Sequence, residues 1–534
     1  MLPQLIDAEL ALARLAIDLG AARVGGPLSA MEHALLGRAM AQPPTDPWAI
    51  EATRANVLAG KDPLGDILAT LRTPATRRTS GQFWTPPAIV GPMIDWVLAA
   101  DPSRIVDPGC GSGRFSTAAV RRNPDIAIVG LDLDPLATLL TRAALAVLGA
   151  GNARIINADY LTTEIAPHDG RTAWVGNPPY VRHHDLGHET KRWAAQAAAR
   201  LGSPISGLAG LHALFFVATV LHARRGDIGC FVTSAEWLDV GYGSIIRSLF
   251  TNGLGGRALD LVDPRAVPFE DAMTTALITC FEVGRAHGDV AIRRVDDPRD
   301  LAVLEGGTVM PSSRLAMQSR WSHLFRESDR RADGGPVLGG IARVHRGAVT
   351  GGNGFFVMTR ADAAGRGLGE WCRPAITTAS EILLSEGVIR DTPERRLVLD
   401  LPADIDRRAN PAVDAYLGNG ERAGIDRRYI TTHRKPWWRI GLGAPAPIVA
   451  SYMARQAPRF ALNPDGLALL NIGHGIYPKE PMHDEQLAAL VEALNTARAG
   501  FSGTGRTYHG GLEKFEPREM EALPLPTFTE IRGG

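Results

Sequence analysis

A glycine-rich turn between a short strand and a helix is the feature that most constrains how this chain folds. The predicted strand Arg104-Ile105-Val106 leads into Asp107-Pro108-Gly109-Cys110-Gly111-Ser112-Gly113, and a helix is predicted to follow. Glycines at alternate positions allow a tight turn and let the backbone come close to a ligand. The turn has neither the GxGxxG spacing of dinucleotide-binding folds nor the GKS or GKT ending of a P-loop. It therefore predicts a ligand-binding α/β sheet of another kind.

Acidic residues follow the next two predicted strands. Strand 127–131 ends at Asp132, 25 residues after Asp107, and strand 153–157 is followed by Asp159-Tyr160. In nucleoside-binding α/β folds an acid near this position binds ribose hydroxyls. Parallel strands end at one edge of a sheet, where such folds bind ligands, so we expect these groups to meet there. Further strands are predicted over 173–176, 227–233, 258–262 and 274–283, with helices from near Leu211 and over 244–250.

The run Asn177-Pro178-Pro179-Tyr180 follows the apolar strand 173–176 and is the clearest candidate for catalysis. Two consecutive prolines fix φ and remove two backbone donors, so the turn presents mainly oxygen acceptors. The Asn177 side chain and the Pro178 carbonyl can each accept one N–H bond from an amino group on a conjugated ring. Tyr180 offers a flat face for stacking. A simple proline-rich turn is the alternative interpretation.

The composition is that of a globular protein without an overall charge bias. The chain has 534 residues, 45% hydrophobic and 21% charged, with 57 basic and 57 acidic side chains. Any nucleic-acid surface must therefore be local. The cysteines are far apart and form no CxxC pair, which argues against a zinc cluster or a disulfide framework. Neither a signal sequence nor an apolar run of about 18 residues is evident, so we expect a cytoplasmic protein without a membrane segment.

The regions around this core differ in pattern. Residues 1–80 are predicted to form two helical pieces, separated by a proline-rich break at 42–47, that pack without chemistry of their own. A Gln-Phe-Trp-Thr-Pro-Pro segment then opens a helix that runs to residue 98, with Thr85 as its predicted N-cap and Pro86 as its first residue. Residues 291–335 have the composition of a linker with peripheral turns. Residues 336–534 form a second module.

The second module contains one basic stretch. Between residues 421 and 460, eight basic side chains stand against two acidic ones, and the run Thr-His-Arg-Lys-Pro-Trp-Trp-Arg at 432–439 adds aromatic rings. Nucleic-acid surfaces combine cations and aromatic rings in this way. A solvated arginine-rich face is the alternative, and the two tryptophans could equally belong to a core.

The motifs of residues 81–283, taken in order, resemble the N6-adenine DNA methyltransferases of the gamma, TaqI-like group. The order is the FxTPP segment, the DPxxGxG turn, the second-strand acid, the Ala-Asp-Tyr turn, NPPY, and Val-Pro-Phe-Glu-Asp-Ala at 267–272. In the second module, Arg-Gly-Ala-Val-Thr-Gly-Gly-Asn at 346–353 is similar to the same enzymes. One departure is Gly210-Leu211-His212, where the family commonly has Asp-Leu-Tyr.

This resemblance implies the fold. A doubly wound, Rossmann-like α/β methyltransferase sheet of seven strands, the last antiparallel, would follow an N-terminal helical region. Residues 81–290 would form the S-adenosylmethionine-dependent catalytic domain. Residues 336–534 would form the C-terminal DNA target-recognition domain.

The resemblance also implies a role for each site residue. Phe83 and Thr85 would close over the methionine end of the cofactor. Asp132 would bind its ribose hydroxyls, and Asp159 its adenine amino group. The implied cofactor-binding residues are Phe83, Thr85, Asp107, Gly109, Gly111, Asp132, Asp159 and Tyr160. The implied catalytic residues are Asn177, Pro178, Pro179 and Tyr180, with Tyr180 and Phe269 stacking on the target base. The basic run at 432–439, rather than the resemblance, predicts DNA contacts by Arg434, Lys435 and Arg439.

The implied function is site-specific methylation of adenine N6 in double-stranded DNA, within a restriction-modification or phage-defence system. The target base must be flipped out, because a stacked base is unreachable. No metal is required, and His183, His184 and His188 match no common zinc spacing. We expect a monomer, with a separately encoded restriction endonuclease or defence subunit as a partner. The alternatives are an RNA or protein-glutamine N-methyltransferase, and a DNA-binding methylase subunit that needs a partner for activity.

Overall fold

The computed structural model describes residues 2–73, 76–77, 81–263, 266–267, 275–285, 288–325, 336–454, 457–501, 506–508 and 512–525. The chain forms two compact units, Met1–Glu327 and Ser328–Gly534. Each unit is built around hydrophobic clusters of its own. Each is therefore described by itself.

The first unit contains helices and strands in the predicted alternation. Its helices are α1 (Leu2–Asp18), α2 (Ala30–Met40), α3 (Pro47–Leu58), α4 (Pro63–Leu71), α5 (Pro87–Leu98), α6 (Arg114–Arg122), α7 (Pro135–Val147), α8 (His188–Leu201), α9 (Leu211–His222), α10 (Ser244–Thr251) and α11 (Ser312–Ala316). Its strands are β1 (Arg104–Pro108), β2 (Ala127–Asp132), β3 (Ala153–Asn157), β4 (Thr172–Gly176), β5 (Ile228–Ser234), β6 (Gly256–Val262), β7 (Ala276–Glu282), β8 (Asp289–Val295) and β9 (Thr308–Pro311).

These strands form one sheet in the order β3-β2-β1-β4-β5-β7-β6-β8-β9. Strands β1 to β5 run parallel to one another, and β7 runs antiparallel between β5 and β6. This is the predicted doubly wound arrangement with an antiparallel seventh strand. Every residue of β1, β4 and β5 is buried, as expected for central strands covered by helices on both faces.

The predicted number of strands and the predicted linker over 291–335 are wrong at one edge of the sheet. Strand β8 pairs parallel with β6, and β9 pairs antiparallel with β8. Two adjacent arginines make the β8 sequence look like a polar linker. In the fold, Arg293 pairs with Asp260 and Arg294 with Asp263, so β6 supplies carboxylates that allow these charges to lie in the sheet.

Among the described residues of the N-terminal region, the separate helices α1 to α4 replace the two predicted pieces. The proline-rich break separates α2 from α3, and an Asp46 side-chain oxygen accepts from Trp48 N at 2.9 Å to cap α3. Helix α5 begins one residue later than predicted, with Pro86 at the N-cap. Thr85 does not cap it, because the Thr85 hydroxyl accepts a hydrogen bond from the Asn177 side chain instead.

A fully buried ion pair joins the N-terminal helices to the sheet unit. Arg142 on α7 donates to Glu32 on α2 at 2.9 Å, and neither side chain is exposed. The remaining guanidinium hydrogens go to backbone carbonyls of residues 24, 26, 27 and 155. A buried charge is tolerated only when it is paired and hydrogen-bonded in this way.

The second unit is built from smaller sheets. Its helices are α12 (Leu338–Ile341), α13 (Asn353–Phe356), α14 (Arg360–Gly365), α15 (Ala379–Leu383), α16 (Pro411–Arg422), α17 (Tyr429–Thr432), α18 (Asp484–Thr496) and α19 (Pro517–Glu521). Its strands are β10 (Ala342–Arg346), β11 (Val357–Met358), β12 (Cys372–Ile376), β13 (Leu397–Leu399), β14 (Ile448–Ser451), β15 (Met453–Ala454), β16 (Phe460–Leu462), β17 (Ala468–Leu469), β18 (Gly473–Pro478), β19 (Arg506–Tyr508) and β20 (Leu512–Lys514). They assemble in the orders β10-β18-β14-β16, β11-β13-β12-β17 and β15-β20-β19.

Removing Glu32 should destabilise the first unit strongly. Glu32→Ala leaves the Arg142 charge buried without its partner, so we expect a loss of about 3–5 kcal/mol in the free energy of unfolding. Urea denaturation of the full chain measures it. Glu51→Ala is the matched control, because the Glu51–Arg54 pair is exposed and should contribute less than about 1 kcal/mol. Equal effects of the two substitutions would show that the buried pair does not stabilise the fold.

Candidate active site

A cavity of about 550 Å³ lies at the carboxyl ends of β1, β2 and β4. Ligand pockets generally measure about 300–1,000 Å³, so this one can enclose a nucleoside-sized molecule. Its walls come from α4, the FxTPP segment, the glycine turn, the end of β2, the turn after β3, the NPPY turn and the start of α9. The predicted site residues that line it are Phe83, Thr85, Gly109, Gly111, Asp132, Asp159, Tyr160, Asn177 and Pro179.

The glycine turn folds back on the end of β2. Gly109 and Gly111 have φ values of 72° and 57°, which only glycine adopts without strain. A Cβ atom at Gly111 would meet nothing within 4 Å, so the backbone faces open space at that point. The Gly111 N–H donates to Asp132 Oδ2 at 2.9 Å. The turn and the acid therefore form one wall of the cavity.

Asp132 is a half-buried residue whose two carboxylate oxygens both receive backbone hydrogen bonds. Besides the Gly111 bond, Oδ1 accepts from Asp134 N at 2.9 Å. Burial is the main cause that raises the pKa of Asp132 to about 6, above its ordinary value. The group remains an acceptor at neutral pH, with lone pairs available to hydroxyl donors.

Asp107 lies next to the cavity rather than in its wall. Its Oδ2 accepts from Ser116 Oγ at 2.7 Å and from Ser116 N at 3.2 Å, so the carboxylate ties β1 to helix α6. Burial raises the pKa of Asp107 to about 7. In this geometry Asp107 supports the glycine turn from behind.

The turn after β3 contributes one polar and one largely internal side chain. Asp159 Oδ1 accepts from Leu161 N at 2.9 Å, and the residue lines the cavity. Tyr160 is buried, and its hydroxyl lies 2.8 Å from Thr219 Oγ1. Its ring packs on Phe215, with 5.0 Å between ring centroids. The ring therefore forms part of the floor of the cavity.

The FxTPP segment fixes the side chain of Asn177. Asn177 Nδ2 donates to Phe83 O and to Thr85 Oγ1, each at 3.1 Å. Within the described part of the chain, the buried Oδ1 has no hydrogen-bond partner. A buried acceptor without a partner is costly, and such groups mark sites that a ligand completes. The structure thus brings the predicted catalytic residue to the cavity with its oxygen available.

Tyr180 lies between two rings beside the cavity. Phe83 meets it edge to face, with centroids 5.3 Å apart, and His212 lies at 5.9 Å. The Tyr180 N–H donates to Gly81 O at 3.1 Å, which ties the NPPY turn to the FxTPP segment along the backbone. Pro178 is buried in the same turn. Phe269, the other predicted stacking residue, lies outside the described residues.

The Gly-Leu-His departure has a steric explanation. A Cβ atom at Gly210 would lie 3.0 Å from Val181 O and 3.2 Å from the His212 ring. An aspartate at 210 would therefore require Val181 or the His212 ring to shift by a few tenths of an ångström. Burial lowers the pKa of His212 to about 4, so the ring is neutral, and its buried Nε2 has no partner among the described residues.

Helix α4 supplies cavity residues that sequence reasoning missed. Leu68 and Arg72 both line the cavity. An amphipathic helix in an arginine-rich chain carries no motif that marks such residues, so only their spatial position identifies them. Residues after NPPY were also missed as lining residues, namely Val181, Asp185, Leu186, Gly187 and Thr190.

The predicted DNA contacts of the second unit occupy different environments. Arg434 is half-buried and donates to the carbonyls of Thr350, at 2.9 Å, and Val349. It therefore holds the 346–353 run in place. Lys435 and Arg439 are exposed. The two tryptophans between them pack against an apolar cluster, which supports the core interpretation of these rings.

The described residues lack two kinds of feature. None of the helices in these ranges is both long enough and apolar enough to cross a membrane. Within the same ranges, no three His, Cys, Asp or Glu side chains are grouped so as to hold a metal ion.

Comparison with known families gives two matches along the chain. Residues 60–205 match the N-6 DNA Methylase family, and residues 320–533 match the C-terminal domain of type II methyltransferase M.Eco57I. The first match begins three residues before α4 and includes the glycine turn and NPPY. The second covers most of the second unit.

Individual relatives agree with these matches. Type II methyltransferase M.XamI of Xanthomonas campestris pv. amaranthicola is 42% identical over 483 residues, which cover 89% of each chain. Type II methyltransferase M.AccI of Acinetobacter calcoaceticus is 24% identical over 468 residues, 83% of this chain and 85% of the relative. The solved structure of the type IIL restriction-modification enzyme MmeI in complex with DNA shares the fold, with a TM-score of 0.56 at 12% identity over 85% of this chain and 69% of that one.

The family matches include the glycine turn and the NPPY turn of the first unit and most of the second unit. The match to M.XamI covers most of both chains, and its 42% identity is high enough to show a shared family. This chain belongs to the type II methyltransferases of the N6-adenine DNA methyltransferase family, which use S-adenosylmethionine as their cofactor.

Proposed function

We propose that this enzyme methylates the N6 amine of a flipped-out adenine at a specific DNA sequence, with Asn177 binding that amine. The observation that carries the assignment is the buried Asn177 Oδ1, which has no partner among the described residues. The Nδ2 of the same amide donates two hydrogen bonds. An exocyclic amine supplies the N–H donors that this oxygen lacks. The NPPY turn is thus prepared for an amine before the base arrives.

Asn177 and the Pro178 carbonyl hold the amine by its two hydrogens. Two acceptors on the same amine draw the nitrogen away from conjugation with the ring and turn its lone pair toward the cofactor side of the cavity. Such positioning is a major source of rate enhancement, because the reacting atoms need no further search for orientation. Tyr180 stacks on one face of the flipped base, and Phe269 stacks on the other face of that base.

S-adenosylmethionine fits the residues of the cavity. Asp132 offers a carboxylate to ribose hydroxyls, Asp159 can accept from the adenine amine, and Gly111 leaves open space where the backbone faces the ligand. Phe83 and Thr85 close the side that borders Asn177. The cofactor supplies an electrophilic methyl group at this site. Asp107 acts indirectly, by holding the turn against α6.

We further assign DNA recognition to the second unit. The first unit provides a pocket that any flipped adenine can enter, so sequence choice requires another surface. Lys435 and Arg439 are exposed cations next to rings that anchor their run to a core, which gives them a rigid base. Arg434 orders the 346–353 run, so both runs contribute to one surface.

The biological setting follows from the same family membership. We propose that the enzyme modifies double-stranded DNA as a monomer in the cytoplasm. A separately encoded restriction endonuclease that cuts the same sequence is the partner that a type II methyltransferase implies.

Asn177→Ala should abolish methyl transfer and leave cofactor binding unchanged. Loss of one positioned acceptor costs about 3 kcal/mol, or a rate reduction of about 10²–10³. The rate is measured under single-turnover conditions on cognate DNA, and cofactor affinity by calorimetry. Asn252→Ala is the control, because this exposed asparagine bonds only within its own helix end. A variant at 177 with a near wild-type rate would refute the assignment.

Cofactor affinity should fall in acid. Ribose hydroxyls donate to the ionised form of Asp132, whose pKa is about 6 in the free enzyme. The dissociation constant should therefore be flat above pH 7 and rise about tenfold per pH unit well below 6. The raised pKa also means that the folding stability contributed by this group is complete below about pH 4 and is lost as the pH rises through 6.

The Asp132→Asn variant shows whether the pH dependence of cofactor affinity comes from Asp132 or from Asp107, whose pKa is also raised. The amide should weaken cofactor binding by about 1–3 kcal/mol and remove the dependence on pH between 5 and 7. Calorimetry across that range measures both effects. Unchanged affinity, or a pH dependence that persists in the variant, would exclude Asp132 from the ribose site.

Lys435 and Arg439 should show different signatures of DNA contact. Lys435→Ala should weaken binding to cognate and scrambled duplexes alike. It should also reduce the slope of log affinity against log salt concentration by about 1, as expected for a phosphate contact. Arg439→Ala should cost about 1–3 kcal/mol on cognate DNA and relax the choice at one base pair. Arg299→Ala, on an exposed turn of the first unit, is the control. Unchanged affinity and salt slope in both variants would place the DNA surface elsewhere.

A further inference from the structure

We propose that α4 of the N-terminal region belongs to the cofactor site and that Arg72 binds the α-carboxylate of S-adenosylmethionine. The inference rests on the proposed function, since it takes the cofactor to occupy the cavity described above. It assigns a direct role to a region that the sequence suggested was only a packing element.

Both ends of α4 are hydrogen-bonded to the turns that form the cofactor cavity. At its N-terminal end, the Asp62 N-cap accepts from Ser112 Oγ at 2.6 Å and from Arg114 Nε at 2.7 Å. At its C-terminal end, Arg72 Nη1 donates to Asp134 Oδ2, two residues after the ribose acid. The helix therefore spans from the glycine turn to the end of β2, and it cannot move independently of either.

Arg72 is fixed from two other directions. Its Nε donates to Glu9 on α1 at 2.8 Å, and its Nη1 also donates to Gln82 of the FxTPP segment at 3.0 Å. The side chain is only 13% exposed and lines the cavity. Within the described residues, Nη2 has no hydrogen-bond acceptor, although a guanidinium carries two hydrogens there. A held guanidinium with unused donors at a cavity wall is prepared for a ligand.

Charge complementarity identifies the ligand group. The cofactor carries one carboxylate, together with a sulfonium and an ammonium group. The lining acids Asp132 and Asp159, assigned above to the ribose hydroxyls and the adenine amine, repel a carboxylate, so that group needs a cation in the lining. The other lining cation, Arg114, already donates to Asp62, Asp66 and Thr85 O. Every guanidinium nitrogen of Arg114 thus already donates once, whereas Arg72 keeps a whole nitrogen, Nη2, without a partner among the described residues, so Arg72 is the lining cation better placed to receive a carboxylate.

Leu68 completes the surface that α4 presents. It lies four residues before Arg72, the C-cap of α4, whose backbone N–H donates to Leu68 O at 3.1 Å. It is buried and lines the cavity. An apolar side chain beside a guanidinium suits a ligand with a hydrocarbon chain ending in a carboxylate, which is the form of the methionine moiety.

The test compares two ligands on matched variants of the full chain. S-adenosylmethionine and its decarboxylated form differ only in the carboxylate, and calorimetry measures both dissociation constants. Arg72→Ala should raise the constant for S-adenosylmethionine about tenfold or more and change that for the decarboxylated ligand less than about twofold. Arg14→Ala is the control, because Arg14 is also 13% exposed and pairs with an acid, Asp18, in the same helical region. It should change neither constant.

Each other result would overturn the proposal. Equal weakening of both ligands by Arg72→Ala would mean that Arg72 only supports the fold, and unchanged affinity for both would remove it from the site. If the wild-type chain bound neither ligand, the cofactor assignment itself would fail with it. If Asp132→Asn weakened cofactor binding and Arg72→Ala did not, the proposed function would stand and only the role of α4 would be refuted.

A second variant addresses folding. If circular dichroism shows that Arg72→Ala is misfolded, Arg72→Gln replaces it, since glutamine can still donate to Asp134 and carries no charge. The same loss for S-adenosylmethionine alone is expected. In addition, amide exchange across α4 should slow when S-adenosylmethionine binds to the wild-type chain and not in the Arg72 variant. Protection that is equal in both would contradict the contact.

Discussion

The orientation of one amide group determines what the active site can bind. A carbonyl oxygen can only accept hydrogen bonds, so the bond between Asn177 and Phe83 O requires Nδ2 on that side. The Asn177 oxygen must then face the opposite way, where it can accept from an amine. With the amide reversed, two donors would confront the two donors of the substrate. The FxTPP segment therefore sets the chemistry of NPPY, and it is held in turn by Arg114 at Thr85 O and by Tyr180 at Gly81 O.

The same region concentrates buried negative charge around a ligand that carries positive charge. Burial raises the pKa values of both Asp107 and Asp132, and each is raised further by a neighbouring acid. The ionised form of a carboxyl group is unfavourable in such surroundings, and a positively charged ligand nearby stabilises it. Asp107 is stabilised by Ser116 whether or not a ligand is present. Asp132 is the acid that we propose also binds the ligand, in which case its ionisation and cofactor binding are linked.

The sequence predicted those parts of the fold that depend on local pattern. The strands from β1 to β7, the glycine turn and the NPPY turn lie where alternation of apolar segments and turn residues indicated them. The strands at the far edge were missed, because Arg293 and Arg294 look like linker residues until Asp260 and Asp263 are placed beside them. Pairing across a sheet is a long-range property, and no local pattern contains it.

The candidate site shows the same division. Asn177, Asp132 and Asp159 were found because each follows a strand of a parallel sheet. The cavity-lining Arg72 was not found, because its position depends on contacts with Glu9, Gln82 and Asp134, which are far apart in the sequence. In the 432–439 run, residues that the sequence grouped together have different environments in the fold. Composition marked its aromatic rings and cations together, while the fold places the rings against a core and leaves Lys435 and Arg439 exposed.

The Gly-Leu-His departure illustrates how a motif can change without disturbing the group it surrounds. His212 stacks obliquely on Tyr180 and meets Tyr242 edge to face, so it fills an aromatic position in the wall. A histidine there packs over residue 210, and a side chain larger than glycine at 210 would press on both the His212 ring and Val181 O. The glycine therefore suits the position that the histidine takes. Because burial keeps the imidazole neutral, the wall behind Tyr180 gains no charge, and the surroundings of Asn177 stay suited to an uncharged base.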